Sequence, residues 1–497
     1  MSIQKFFPLR TKFYCGCLGI TSIKRSYSSP SNIEVLSNLT GISYKEAKQY
    51  AIENVLLEDT YLLEKNIKFC QKLGYSIERI LTIRKFLAKH PNELQQHYLS
   101  MEEGGFFPIS PEVLANFQII MRHSVKLLKR KKIIQKDIHI VKKMVSYIEN
   151  EEIRSSIPLD YREEDSWTNI HLNVVRAFLK MRMNVTQDQL TRMFETHRTV
   201  KNKSLRVLEE NIKLAEELGF SHEKILKCGY ILSNFPDYTK ATLREYPTLV
   251  GQDMRKSMLA FPKLMMTPPR KIDQMYKILK DHDIPDSIIA RQLNIFYMSC
   301  KTIEERLKEI KGIPDLRIFF NHPDFLRLVV YFNKTKSRLN FLKQMPIKCR
   351  SPSLLQSGSD ESFEDYLREG KDVNKVCDVL GFLRTIFPDD LEQIHNQLKR
   401  HPKYLQVPLK EMMATYDFLK DKHYNDSSII KVIWILLYPM EKVENALVKI
   451  LCDQYRFFDE VTKLNMILYF IERDHHFTGN GIWSHQFIED AIEMTCQ

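Results

Sequence analysis

The stretch Asn66–Pro91, NIKFCQKLGYSIERILTIRKFLAKHP, returns 145 residues later as Asn211–Pro236, NIKLAEELGFSHEKILKCGYILSNFP. The two align without a gap. Asn66/Asn211, Ile67/Ile212, Lys68/Lys213, Leu73/Leu218, Gly74/Gly219, Ser76/Ser221, Glu78/Glu223, Ile80/Ile225, Leu81/Leu226, Leu87/Leu232 and Pro91/Pro236 are identical. A self-similar unit of about 30 residues marks a chain built by stacking one small module.

The module can be read from its side chains. Leu63, Ile67, Cys70 and Leu73 recur three or four residues apart and share one helical face. Gly74 can take the left-handed conformation that ends a helix. Ser76 is placed to cap the next helix, with Glu78 in its first turn favoured by the dipole. Ile77, Ile80, Leu81 and Leu87 supply that helix's buried side. Pro91 forbids continuation and pushes His90 out of the helical region, and proline is well tolerated as the first residue of a new helix. The predicted unit is helix, glycine turn, helix, then a short proline-initiated third helix. The same punctuation recurs at Tyr246-Pro247, Phe261-Pro262, His322-Pro323, His401-Pro402 and Tyr438-Pro439. Tyr276–Leu279, Leu339–Leu342 and Tyr416–Leu419 come after three of these prolines and mark the first helix of the next unit.

Composition agrees with a helical chain. Of 497 residues, 43% are hydrophobic and only 15 are glycine, which disfavours a sandwich or a doubly wound sheet. The net charge is +12, but Lys5, Arg10, Lys12, Lys24 and Arg25 crowd into the first 27 residues, where there is no acid. Without them the excess is +7, which permits a polyanionic partner and does not demand one. The nine cysteines are scattered, with no CxxC pair and no zinc spacing, as for reduced and mostly buried thiols.

Residues 1–29 have the composition of a mitochondrial transit peptide, basic and without acids until Glu34. Arg25-Ser26-Tyr27-Ser28 is similar to the sites cut by the matrix processing peptidase. This predicts a mitochondrial matrix location. No apolar run reaches the ~18 residues of a membrane span; Ile429–Tyr438 is short and carries Lys431.

Leu-Gly-(Tyr/Phe)-Ser, a proline 17 residues after that glycine, Pro-x-(aromatic/Leu)-Leu and a downstream helix ending Phe-Leu together resemble the mitochondrial transcription termination factor (mTERF) repeat. The resemblance covers about residues 60–460, and is clearest at 66–94, 205–280, 318–342 and 380–440. It implies an all-α fold, a superhelical solenoid of triple-helix repeats with a basic concave groove. Family members bind duplex DNA along that groove, and others bind ribosomal RNA or act in mitoribosome assembly. The expected organisation is a transit peptide at 1–29, a repeat array at 30–346, a flexible Ser- and acid-rich insertion at 347–373, further repeats at 374–470 and a tail at 471–497. Residues 95–170 lack clean landmarks.

Basic residues clustered near the repeat landmarks are the candidate phosphate ligands. They are Arg192, Arg198, Lys203 and Arg206; Arg270 and Lys271; Lys334, Lys336 and Arg338; and Lys399, Arg400 and Lys403. Lys201 and the dense run Lys126–Lys132 lie in similar surroundings. Lys271 and Lys334 each stand eight residues before a landmark leucine, where the next unit has Glu411. Each of these side chains is equally compatible with an ordinary solvated helix face. His90, His322 and His401 precede proline with no partner at catalytic spacing and are read as structural, capping the turn. Asp474-His475-His476 reads as a solvated loop.

Phosphate-loop, dinucleotide, zinc-protease and nucleophile-elbow motifs are absent, so no enzyme activity, cofactor or metal is expected. The leading expectation is a matrix protein that binds double-stranded mitochondrial DNA and regulates transcription by termination or pausing. Mitochondrial RNA, a second mTERF-family protein and the transcription machinery are further candidate partners. The alternatives are a ribosomal-RNA-binding assembly factor and a protein-binding scaffold.

Overall fold

The computed structural model describes residues 30–483, apart from 55, 57–58, 84–85, 346, 353–354, 356–359, 370–371, 388, 390 and 451–456. The expected transit peptide, the end of the expected tail, part of the expected insertion, and Cys15, Cys17, Cys452 and Cys496 lie outside the described residues. The fold is all-α. The two-residue antiparallel pair Thr248–Leu249 with Gln252–Asp253 is the one named sheet among the described residues. The chain divides into two compact units: residues to Lys213 with His222–Ser233, and Leu214–Ser221 with Asn234 onward.

The repeated stretch folds as the spacing of its apolar residues requires. Helix Thr60–Lys72 buries Leu63, Ile67 and Cys70, and Gly74 stands just beyond it at φ +71°. The short helix Ile77–Thr82 buries Ile80, and Phe86 and Leu87 complete its packing. The copy repeats this: helix Leu205–Glu217, Gly219 at φ +87°, then helix His222–Lys227 burying Ile225 and Leu226. Glycine reaches the left-handed region without the Cβ clash that other residues meet there.

Two expectations are corrected. Ser76 stands at the N-cap position, but its side chain makes no cap hydrogen bond. Pro91 and Pro236 open long helices, Pro91–Glu103 and Pro236–Glu245, rather than short third helices. A short third element does occur as a 3-10 turn, at Gly229–Ile231 ahead of Pro236, at Ile433–Leu437 ahead of Pro439, and at Leu293–Tyr297, where no proline follows closely. Among the described residues, only at Pro262–Met266 does a proline itself open it. Proline suits the first position of any helix, long or short, because the missing N–H has no intrahelical partner there. Its presence therefore does not set the length of the helix it opens.

A second internal copy, at an offset of 140, emerges from the structure. Helices Pro269–Asp281 and Leu409–Asp421 are both 13 residues long. Each is succeeded by a left-handed residue, Asp283 at φ 61° and His423 at φ 65°. Each then enters a short helix, Asp286–Ile289 or Asp426–Lys431. Matching side chains lock both turns: Asp286 binds Tyr276 Oη at 3.2 Å and Lys280 at 2.7 Å, and Asp426 binds Tyr416 Oη at 3.1 Å and Lys420 at 3.0 Å.

In four of the long helices a buried side chain also ties the helix to the main chain one to four residues before a proline. Asn66 donates to Lys89 O (3.0 Å), Asn211 to Leu232 O (3.2 Å), Thr242 to Thr267 O (2.7 Å) and Thr415 to Tyr438 O (2.8 Å). These four donors are all buried, where an unpaired polar group would cost ~1–3 kcal/mol. The asparagine shared by the two 145-offset blocks is therefore a structural tie.

Between the long helices, residues 111–156 hold five helices of four to six residues, before the 17-residue helix Trp167–Met183. Within 347–373, Cys349, Ser351 and Leu355 are buried, and the Asp372 carboxylate accepts the Lys348 and Cys349 amides. Helix Asp360–Glu369 lies in the same stretch. At the C-terminal end, buried Glu472 accepts from Tyr438 Oη (2.8 Å) and from the Gly479 and Gly481 amides (2.8 and 3.0 Å). This carboxylate organises residues 474–483. In Glu472→Ala, amide exchange there should accelerate roughly 10- to 100-fold, the loss expected for hydrogen bonds to a charged group. Exchange no faster than in the native chain would show that the loop holds without it.

Candidate nucleic-acid interface

The three His-Pro turns share one geometry. The Nδ1 atom of His90 accepts the Asn92 amide (3.2 Å), that of His322 the Asp324 amide (3.0 Å), and that of His401 the Lys403 amide (3.3 Å). Each ring satisfies the backbone N–H two residues on, which is the capping role expected of these residues. With Nδ1 accepting, a neutral ring carries its proton on Nε2. In His322 the Nε2 atom lies 3.2 Å from an oxygen of the buried Asp378 carboxylate. Cys377 joins this pair to form the one His/Cys/carboxylate group with metal-like proximity among the described residues. A metal would need the Nε2 lone pair, and the Asp324 amide holds the ring in the other tautomer.

The basic candidates separate into those consumed by the fold and those left outside it. In the first unit, Arg206 is drawn inward: Nε meets Glu103 at 2.8 Å, Nη2 meets Glu102 at 2.5 Å, and the guanidinium lies 4.5 Å from the Tyr147 ring centre. Lys203 is half-buried, and that burial pushes its ammonium down to about 8, against the opposing pull of Glu93. Lys201 is half-buried over the Phe194 ring. In the dense run, Lys126 and Lys129 pair with Glu164 and Glu163, while Arg130, Lys131 and Lys132 are exposed, with no ion pair among the described residues. Arg192, on helix Gln187–Thr196, and Arg198, opening the turn Arg198–Asn202, are exposed, with no ion pair among the described residues.

In the second unit, Lys271 donates to Tyr297 O and lies 5.3 Å from the Tyr297 ring centre, and burial lowers its pKa. It does for its module what Asn66 does for another. Lys336 pairs with Glu309 at 2.6 Å. Arg338 is buried, 4.4 Å from the Phe363 ring centre. Lys403 donates to Asn480 and lies over the Trp483 ring. Lys334 is half-buried and Arg270 exposed, each with interactions of its own. Lys399 and Arg400, at the end of helix Leu391–Leu398, are exposed and without an ion pair among the described residues. The structure thus brings Lys399 and Arg400 together on one unit and Arg192 and Arg198 on the other, and ties Lys271, Arg206 and Arg338 into the fold.

Trp434 was not among the sequence candidates. It is 39% exposed, and its indole N–H is already satisfied by Gln397 O at 2.9 Å. The apolar run around it, Ile429–Tyr438, hides it in the sequence. Its position is that of Asn294 in the 140-offset copy, a polar exchange that marks this face as solvent-facing.

The chain is 26% identical over 478 residues to a Drosophila melanogaster protein named transcription termination factor 5, mitochondrial; the match covers 92% of this chain and 84% of the relative. No family model and no solved structure matches the chain. A match of that length leaves no large part of the described repeats unaccounted for, and it joins the helical modules and their proline landmarks in a single assignment. Over most of its length the chain is therefore similar to a mitochondrial transcription termination factor, a likeness that supports the family resemblance carried by its repeats.

Proposed function

We propose that this protein acts in the mitochondrial matrix, binds double-stranded mitochondrial DNA and regulates transcription by terminating or pausing the polymerase. The observation that carries this reading is the sorting of its cations. Arg192, Arg198, Lys399 and Arg400 stay exposed and free of acidic partners among the described residues, while Lys336 and Arg206 are neutralised by Glu309, Glu102 and Glu103. Exposed cations on stacked helices are suited to neutralising successive phosphates. The name of the Drosophila relative supports both the compartment and the process. The modest charge excess leaves room for a protein partner that strengthens binding.

Mobility-shift titrations of duplex mitochondrial DNA across a salt series test this. Reversing Arg192 and Arg198, or Lys399 and Arg400, to glutamate should weaken binding and flatten the dependence of log K on log salt by about 1 for each phosphate no longer neutralised. Lys336→Glu should change neither. Binding that ignores both pairs would sink the assignment, and preference for ribosomal RNA over duplex would favour the ribosome-assembly reading.

A further inference from the structure

We propose that the adjoining segments Phe106–Pro108 and Arg130–Ile133 form a peripheral docking surface for an anionic lipid bilayer. These residues lie within 95–170, where the repeat landmarks are missing, and the duplex reading above does not rest on any of them.

The backbone joins the two segments. Phe106 and Ile134 form an antiparallel bridge with both side chains buried, and the Phe107 amide donates to Ile133 O (3.4 Å). In extended backbone successive side chains point to opposite faces, so the burial of Phe106 turns Phe107 outward, where it is 64% exposed. Pro108 beside it is exposed as well. Across the bridge, helix Val125–Arg130 ends in a tight turn. The Lys131 amide donates to Leu127 O (2.9 Å) and the Lys132 amide to Lys129 O (3.0 Å), with Lys132 left-handed at φ 57°. Arg130, Lys131 and Lys132 are consecutive exposed residues. A packed helix or strand hides part of each turn, so consecutive exposure marks a chain that projects from its unit.

Arg122 and Lys136 add charge eight and four residues from the ends of that run, and both are exposed with no ion pair among the described residues. Between Phe106 and Ile140 the acids are Glu112, which pairs with Arg79 at 2.6 Å, and Asp137. A second bare apolar side chain stands among these cations. Ile119 is 60% exposed, and its carbonyl accepts the Arg122 amide at 3.2 Å.

Cations and bare apolar side chains together select the partner. A nucleic-acid duplex satisfies lysine and arginine with its phosphates but offers Phe107 and Ile119 no apolar phase. A bilayer interface offers both, headgroup phosphates for the cations and acyl chains directly beneath for the apolar groups. Stable attachment takes two such signals, because a short insertion is weak alone and a polybasic patch is screened by salt. Both are present here on projecting segments tied to each other, which suits a flat and deformable surface. The contact is peripheral, since no helix among the described residues is long and apolar enough to cross a membrane.

The test is co-flotation of the full chain with phosphatidylcholine vesicles carrying about 30% phosphatidylserine, beside pure phosphatidylcholine, across a salt series. The chain should bind the anionic vesicles, leave the neutral ones, and lose affinity as salt rises. Arg130→Gln with Lys131→Gln and Lys132→Asn should weaken binding roughly 100-fold, about fivefold for each cation removed from an anionic surface. Asparagine at position 132 tolerates the left-handed turn. Phe107→Ser with Ile119→Ser should weaken binding about tenfold at every salt concentration. All five positions are exposed, so unfolding midpoints should stay native. Phe107→Trp reads the contact directly, and it decides the matter if a multiple variant unfolds. Relative to the native chain, its added emission should move to shorter wavelength with anionic vesicles and stay in place with duplex DNA. Equal binding to anionic and neutral vesicles, or binding to neither, overturns the proposal. So does sensitivity to the cations without sensitivity to Phe107 and Ile119, which marks a plain polyanion site. Loss of duplex affinity in the triple variant with vesicle binding intact also overturns it and assigns the patch to nucleic acid.

Discussion

Replacing Glu103 with alanine should be among the most damaging single changes in the first unit, costing about 1–3 kcal/mol, the range for leaving a buried donor without its acceptor. Glu103 is 1% exposed at the end of helix Pro91–Glu103, yet it acts on residues a hundred positions away. Its carboxylate accepts the Leu205 amide (2.7 Å), the Arg206 amide (3.2 Å) and Arg206 Nε (2.8 Å). Leu205 and Arg206 open helix Leu205–Glu217, so a carboxylate from another helix supplies the cap and the favourable charge at that N-terminus. In Glu103→Ala, hydrogen exchange of the first turn of that helix should rise roughly 5- to 100-fold. A rise below about threefold would show that Glu102 alone suffices.

The same residue sets a pH dependence. Burial raises the Glu103 pKa above its ordinary 4.5, against the lowering influence of Arg206 and the two amides. A carboxyl whose folded-state pKa is raised contributes stability that is complete below its unfolded value and is lost as pH rises through the folded one. The advantage of the native chain over Glu103→Gln should therefore shrink as pH rises from about 4.5 and then level off. A difference that grows with pH would show that Arg206 outweighs burial.

The second large effect is expected at Gly381. A Cβ there would collide with the His322 Cδ2 atom and sit 3.1 Å from Cγ. His322 is 3% exposed, accepts the Asp324 amide at Nδ1 and has an Asp378 carboxylate oxygen 3.2 Å from Nε2. Gly381 and Asp378 lie three residues apart on helix Val376–Ile386, so one helical face supplies both the space and the charge for the ring. Gly381→Ala should destabilise the second unit by about 3 kcal/mol, the upper part of the overpacking range, visible as roughly 100-fold faster exchange in residues 376–386. His322→Ala in the same chain should recover part of that loss, because it empties the space the methyl needs. Strictly additive losses would mean that the ring is not what the methyl meets.

The repeat was legible because it is written in local chemistry. Leu63, Ile67 and Cys70 define a face by spacing alone, and Gly74 and Gly219 announce left-handed turns. The 140-offset copy was harder to see because Asp283 and His423 occupy the left-handed position. Non-glycine residues there cost roughly 1–2 kcal/mol, which the Tyr–Asp–Lys lock of each turn helps to offset. Such a lock joins residues ten positions apart and leaves no compositional sign.

By itself, then, the sequence determined that this chain is a helical array: where its modules turn, which faces they bury, and that histidines before proline serve the turns. All of that arises from interactions within a few residues along the chain. Only the tertiary structure decided which cations remain for a polyanion. Arg206 is claimed by Glu102 and Glu103, Lys336 by Glu309 and Lys271 by Tyr297 O, partners 26 to 104 residues distant. Charge is a property of composition, but its availability depends on what folding places within a few ångströms. That is why Arg192, Arg198, Lys399 and Arg400 stand apart from neighbours that look the same in the sequence.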